Sequence, residues 1–285
     1  MDTLNNNNKI LKFTTKDFLV SGESFDLLID SKREMLITSP QPRAEDLAKY
    51  YESDAYISHT DSKAGFMASM YQNVKKYSLA LKLRLILTLH GSPGLLLDIG
   101  AGTGDFLKLA KDNGWDVKGV EPNAGASNLA KQKNLEIYES IEKLSGQTFN
   151  VVTLWHVLEH LPDLEAVIQK IEALIKPGGT LIVAVPNFKS YDANYYKNYW
   201  AAYDTPRHLW HFSKTTMANL FSSSITLVKV KPMIFDSFYV SLLSEKYKTG
   251  ESFSIKALLI GLWSNISALR SKEYSSHIYC YKKSI

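Results

Sequence analysis

Two carboxylates and a spaced run of glycines are the first residues in this chain that could do chemistry. Asp98 follows the apolar run Leu95-Leu96-Leu97, and Gly100, Gly102 and Gly104 come after it at alternate positions before an amphipathic segment resumes. That order predicts a strand, a tight loop and a helix. Glycines let the backbone take positive φ and let a ligand approach the main chain. The start of the next helix would add free N–H groups and the positive end of its dipole. Glu121 closes the next strand, in Val117-Lys118-Gly119-Val120-Glu121, so two acids flank the loop. The spacing is not the Gly-x-Gly-x-x-Gly that seats a pyrophosphate at a helix terminus. An acid at the first strand end repels phosphate and suits a cationic or amine-bearing ligand, and an acid at the second suits a pair of ribose hydroxyls.

Four histidines form the second group. His156 and His160 lie in Trp155-His156-Val157-Leu158-Glu159-His160-Leu161-Pro162-Asp163, directly after a predicted strand; His208 and His211 lie between Asp204 and Ser213. A histidine, titrating near neutrality, suits removal of a proton from a hydroxyl acceptor. His156-x-x-Glu159-His160 also has the spacing of an inverted zinc peptidase motif, but it stands at a strand end beside a glycine loop and nothing else supports peptidase chemistry. A divalent ion held by Glu159 and His160 is the weaker variant, and the expectation is no metal.

Together these residues resemble motif I and the following acidic position of class I S-adenosylmethionine-dependent methyltransferases. The segment after Trp155 resembles the "hvLEHl.d" signature of the ubiquinone-pathway-like group, Lys176-Pro177-Gly178-Gly179-Thr180 resembles its "LkPGG" turn, and Asp204–Ser213 is similar to a "DxPRHLxHFS" string found in a subset. The resemblance implies S-adenosylmethionine as cofactor, contacted by Asp98, Gly100, Ala101, Gly102, Gly104, Glu121, Pro122, Asn123, Glu139, Ser140, Trp155 and His156. Ala101 stands where many relatives have cysteine. Methyl transfer from a sulfonium is an in-line displacement that depends chiefly on positioning. The expected acceptor is a small molecule, an oxygen on an aromatic or apolar compound being preferred, with His156 the first choice of base and His208 and His211 the others. Substrate contacts are expected from Tyr56, Tyr199, Trp200, Arg207 and Trp210, with Arg207 holding either an anionic group or a buried aspartate. Two rivals are a nicotinamide oxidoreductase, disfavoured by the glycine spacing, and a non-catalytic cofactor-binding module, which the intact Asp98 and Glu121 oppose.

The elements that must position these residues alternate from Gly94 onward as strand and helix. This predicts an α/β, doubly wound, Rossmann-like sheet of seven mostly parallel strands, with ligands bound beyond the strands' carboxyl ends where strand order reverses. Residues 1–42 read as a strand-rich arm where several relatives carry a zinc ribbon; it has no cysteines and so must be held by apolar packing. Residues 43–93 read as a helical lid and lead-in, whose helix would bury Phe66, Met70, Val74, Tyr77, Leu81 and Leu85. Residues 94–285 form the cofactor-binding domain, with substrate insertions at about 187–212 and 231–275. The first insertion has nine aromatics between Phe188 and Phe212. In the second, Ile255–Leu269 is apolar but too short to span a bilayer, and reads as a cap or oligomer surface, with an interfacial helix as the alternative.

With 285 residues and 45% hydrophobic content the chain can build a full core. A net charge of +4 from interspersed charges gives no support for a nucleic-acid partner. A single cysteine, Cys280, excludes an internal disulfide and a cysteine-rich zinc site. The expected protein is cytoplasmic, without a membrane span, and a homodimer is one possible assembly.

Overall fold

The computed structural model describes residues 9–43, 46–51, 66–251 and 253–285. In chain order its main elements are β1 (Lys9–Lys16), β2 (Ser24–Asp30), β3 (Met35–Ser39), α1 (Phe66–His90), β4 (Leu95–Ile99), α2 (Asp105–Asp112), β5 (Asp116–Val120), α3 (Ala124–Gln132), β6 (Glu136–Tyr138), β7 (Phe149–Trp155), α4 (Leu164–Leu174) and β8 (Ile175–Pro186). There follow α5 (Tyr191–Tyr196), β9 (Trp210–His211), α6 (Lys214–Ala218), β10 (Ile225–Pro232), α7 (Asp236–Thr249), α8 (Ile255–Ser271) and β11 (Ser276–Lys283).

Seven strands form one sheet in the order β10-β11-β8-β7-β4-β5-β6. Only β11 runs against its neighbours, so the expected Rossmann-like, mostly parallel sheet is what the chain builds. Strand periodicity sorts its side chains into two layers. Leu96, Val151 and Ile182 face one way, packed with Leu83, Leu85 and Ile86 of α1 and Phe106, Leu107 and Ala110 of α2. Leu97, Val152, Leu154, Leu181 and Val183 face the other, against Leu164, Ile168 and Ile171 of α4. The central strand β8 is buried from Gly179 to Val185, as a strand covered on both faces should be.

Strand order reverses between β4 and β7, because the chain runs out through β5 and β6 before returning. The register sets Asp98 opposite Thr153 there. Both side chains, and that of Trp155 two residues further, therefore project to the α1–α2 side.

A second sheet joins the arm to the first insertion. β1, β2 and β3 pair antiparallel in turn, and β9 adds to β3 through Leu36↔His211 and Ile37↔Trp210. Leu27 and Leu36 pack there with Phe188, Tyr196, Trp200 and Tyr203.

The lead-in helix forms where expected but rolls differently. Of the described members of its predicted buried stripe, Val74, Tyr77 and Leu81 are exposed and only Leu85 is buried. The buried side is Leu83, Leu85 and Ile86, which pack with Leu96, Val151 and Ile182 of the sheet. Of the expected helical lid, residues 44, 45 and 52–65, with Tyr56 among them, lie outside the described residues, and Leu47–Tyr50 is a 3-10 turn.

Candidate active site

The loop after β4 turns on its glycines. Gly100, Gly102 and Gly104 all have positive φ, at 75°, 54° and 77°. A Cβ on Gly100 would lie 2.2 Å from Val157 Cγ2, and one on Gly104 2.5 Å from Leu135 Cδ1, whereas Gly102 has open space beside it. Two glycines thus serve close packing and the middle one leaves the main chain accessible to a ligand. Ala101 is buried beneath the loop.

The two acids differ sharply. Glu121 lies beside the loop and accepts from Gly102 N and Asn123 N, both at 2.8 Å. Its carboxylate joins the β4 loop to the β5 turn through Pro122, and Asn123 caps α3 by accepting from Ala126 N. Asp98 is buried at 3% exposure and accepts from Thr153 Oγ1 at 2.6 Å. Burial pushes its pKa up to about 7, against the opposing pull of the Thr153 hydroxyl and the Lys82 ammonium. At the end of β6, Glu139 projects to solvent beside Lys143, and Ser140 precedes the 3-10 turn Ile141–Leu144.

At the end of β7, Trp155 packs edge-on against Phe106 of α2, and its Nε1 is buried without an acceptor among the described residues. Lys82 of α1 sets its ammonium 4.4 Å over the Trp155 ring; burial lowers the Lys82 pKa while Asp98 and Asp236 hold it up. Lys75 of α1 pairs with Asp105 at the head of α2 at 2.6 Å, so the lead-in helix is tied across the loop at two points.

His156 takes positive φ at 57° and stands between two carboxylates, Asp236 at 3.2 Å from Nε2 and Glu159 at 3.4 Å from Nδ1. Burial opposes its charge, but the two acids outweigh it and raise its pKa to about 10. It is therefore a fixed cation at neutral pH, one that ties the strand end to the first turn of α7.

The other histidines lie deeper. His160 Nδ1 is 3.1 Å from Arg207 O and from Tyr51 Oη, and His208 Nδ1 is 2.9 Å from Ala202 O. Their rings meet edge-on at 4.4 Å. Burial and the neighbouring His208 ring hold His160 down to about 4. His211, in β9, bonds Thr38 Oγ1 at 3.0 Å and burial keeps it neutral. Glu159, 1% exposed, has no hydrogen-bond donor of good geometry among the described residues. Glu159, His160 and His208 present one donor atom each within 4.8 Å of one another, a set that could hold a metal ion.

The structure brings Asp98, the glycine loop, Glu121, Trp155 and His156 together and sets most of the expected substrate residues apart. Arg207 takes the second of its two roles. It is 1% exposed, and its guanidinium donates to Asp17, to Asp204 and to Tyr50 O. Trp200 donates to Asp192 and Trp210 to Leu161 O, both rings in the packed interior. These three hold the second sheet to the rest of the molecule, and Trp200 and Arg207 also line a small cavity with Phe18 and Tyr247. Tyr199 is half-buried against Phe18. Thr153, Lys82 and Asp236 were not anticipated. Thr153 was findable, since strand period places it on the Asp98 face; Lys82 lies between exposed Leu81 and buried Leu83, with no signal for its side; Asp236 carried no signal.

Residues 69–224 match the methyltransferase-domain family, more than half of the chain. A ubiquinone biosynthesis O-methyltransferase from Coxiella burnetii (strain RSA 493 / Nine Mile phase I) is 36% identical over 107 residues, covering 34% of this chain and 46% of that protein. One from Colwellia psychrerythraea is 34% identical over 108 residues, covering 34% of this chain and 44% of that protein. The chain spans about half the length of the curated relatives it matches. In fold, it is similar to a mycolic acid cyclopropane synthase complexed with SAH and CTAB, at 13% identity and a TM-score of 0.51 over 72% of this chain and 84% of that one. By the family match and the order of its strands, the chain belongs to the S-adenosylmethionine-dependent methyltransferases of the class I, Rossmann-like fold.

Proposed function

We propose that the chain methylates an oxygen of a small aromatic or apolar acceptor held over the ends of β4 and β7. The carrying observation is the pair of acids about an accessible main chain: Glu121 beside the loop, Asp98 beneath it, and open space at Gly102. When bound, S-adenosylmethionine supplies a methyl group already activated on its sulfonium. The residues fit it: Glu121 has lone pairs to spare for a diol, and Asp98 offers a negative charge in a place where burial alone would keep it neutral. A cation brought beside Asp98 makes ionisation favourable, so binding releases a proton near neutral pH.

On the acceptor side, Trp155, Tyr77 and Phe235 provide apolar surface, the last two ring to ring at 6.1 Å. His156 has both ring nitrogens held by Asp236 and Glu159, so it braces the strand end beside the acceptor and takes no proton from it. The oxygen preference is supported by the O-methyl chemistry named for the relatives. In the transfer the oxygen–carbon bond forms as the sulfur–carbon bond breaks, and the hydroxyl proton leaves to water. Calorimetric titration with S-adenosylmethionine, S-adenosylhomocysteine and NAD, followed by a screen of phenols for methyl-ether products, tests this. Binding of NAD alone, or of none, would overturn it.

A second reading of the same site is favoured by Glu159, whose buried carboxylate has no good donor. Because His160 and His208 turn Nδ1 to backbone carbonyls, each leaves the Nε2 lone pair for a ligand. A divalent ion there would draw on Glu159, His160 and His208. Metal analysis of the purified protein before and after a chelator decides it; an intact methyltransferase without bound metal rejects this reading.

A further inference from the structure

We propose that the outer face of α8 docks on an anionic lipid surface. The helix is inside out. Ala257, Gly261, Ser264 and Ala268 are its buried side. A Cβ on Gly261 would lie 2.8 Å from Ser237 O, so α8 lies against the backbone of α7. Its bulky residues, Ile255, Leu259, Leu262, Trp263, Ile266 and Leu269, recur three to four apart on the opposite side and are 44–68% exposed. Among the described residues, this face meets no packing partner. A stripe of that size on one helix marks a contact surface. No described helix is long and apolar enough to cross a membrane, so the geometry is that of a helix lying along a surface.

Charge selects the occupant. Residues 225–285 hold nine of the chain's 33 Lys and Arg but only four of its 29 Asp and Glu, so the remainder of the chain is close to neutral. On the hairpin itself, Asp236 is paired with His156 and Glu245 with Lys256, which leaves Glu251 as its exposed acid. Arg270 and Lys272 are exposed at the C-terminal end of the helix, and Lys246 and Lys248 are exposed in the last turn of α7. A second copy on this face would set positive charge against positive charge in a self-complementary interface. An anionic bilayer complements both the apolar stripe and these exposed basic residues. The apolar surface also continues toward the strand ends: Asn265 Nδ2 donates to Ile234 O at 2.8 Å, and exposed Ile234 and Phe235 lead to Tyr77. An apolar acceptor would then enter from the lipid, a consequence that rests on the proposed function; the docking itself does not.

Co-sedimentation of the full chain with vesicles tests it. Vesicles of equal phosphatidylcholine and phosphatidylglycerol should pellet the protein, in a salt-sensitive manner, and phosphatidylcholine alone should not. The double substitution Leu259→Gln with Trp263→Gln, and separately Arg270→Glu, should weaken the binding at least about tenfold while calorimetric binding of S-adenosylmethionine stays unchanged. Absence of pelleting, indifference to lipid charge, or indifference to the double substitution would overturn the proposal. A dimer that the double substitution dissociates, without any lipid binding, would assign the face to a second copy instead. Absence of lipid binding by the unaltered chain while S-adenosylmethionine still binds would be a failure of the docking alone and not of the methyltransferase reading.

Discussion

Asp98 is held against its own ionisation. With a folded pKa raised from 3.8 to about 7, it binds a proton that the unfolded chain has released, so its contribution to stability is full below about pH 4 and declines as pH rises toward 7. Asp98→Asn should abolish that decline, with a gain at pH 8 of the order of 4 kcal/mol at most, read as a flatter profile of thermal unfolding against pH. The same variant should bind S-adenosylmethionine more weakly, a trade of stability for function. Glu121→Ala removes the carboxylate proposed to accept from two ribose hydroxyls and should weaken cofactor affinity about 10- to 100-fold by calorimetry; wild-type affinity would remove Glu121 from the cofactor site. His156 has the opposite sign to Asp98. Its pKa rises from 6.5 to about 10, so its stabilising pairs are fully present below pH 6.5 and lost as pH climbs through 10. Asp236→Asn should flatten the wild-type loss of stability between pH 8 and 10. The acids and the glycines were legible because strand ends and turn residues have local signatures; the state of His156 was not, since Asp236 lies 80 positions away along the chain.

Between elements, one ion pair among the described residues is fully buried. Arg207 follows the first insertion's aromatic run, and Asp17 follows β1; the two lie 2.9 Å apart with the guanidinium wholly enclosed. Removing one partner of such a pair leaves an uncompensated charge, which costs about 3–5 kcal/mol. Arg207→Met should therefore lower the denaturation midpoint strongly, and addition of Asp17→Asn and Asp204→Asn should recover part of the loss. A double-mutant cycle by urea unfolding measures it, and additive losses would show the pair to be uncoupled. Strand and helix periods gave nearly every element of the large sheet within a few residues, because each buries one regular face. The same rule misplaced the contact face of α1. Val74, Tyr77 and Leu81 follow the helical period as well as Leu83 and Ile86 do, and only the position of the sheet edge decides which face is covered. Aromatic density likewise could not separate a pocket wall from a packed core; Trp200 and Trp210 are core because Asp192 and Leu161 O satisfy their N–H groups.

Across the molecule, the seven-stranded sheet was readable because strand and helix alternate along most of it, even though β7 returns beside β4 and β11 pairs with β8 from far along the chain. The second sheet was not, since β3 and β9 pair across the full length of the cofactor-binding strands and a two-residue strand leaves almost no pattern. This long-range pair also orders events during synthesis. As the ribosome extends the chain, β3 emerges with its outer edge open and must wait for Trp210 and His211. At about 5–20 residues per second, that wait lasts roughly 10–35 s. Until then the apolar residues Leu36 and Ile37 stand on an unpaired edge, where another nascent chain or a chaperone can reach them first.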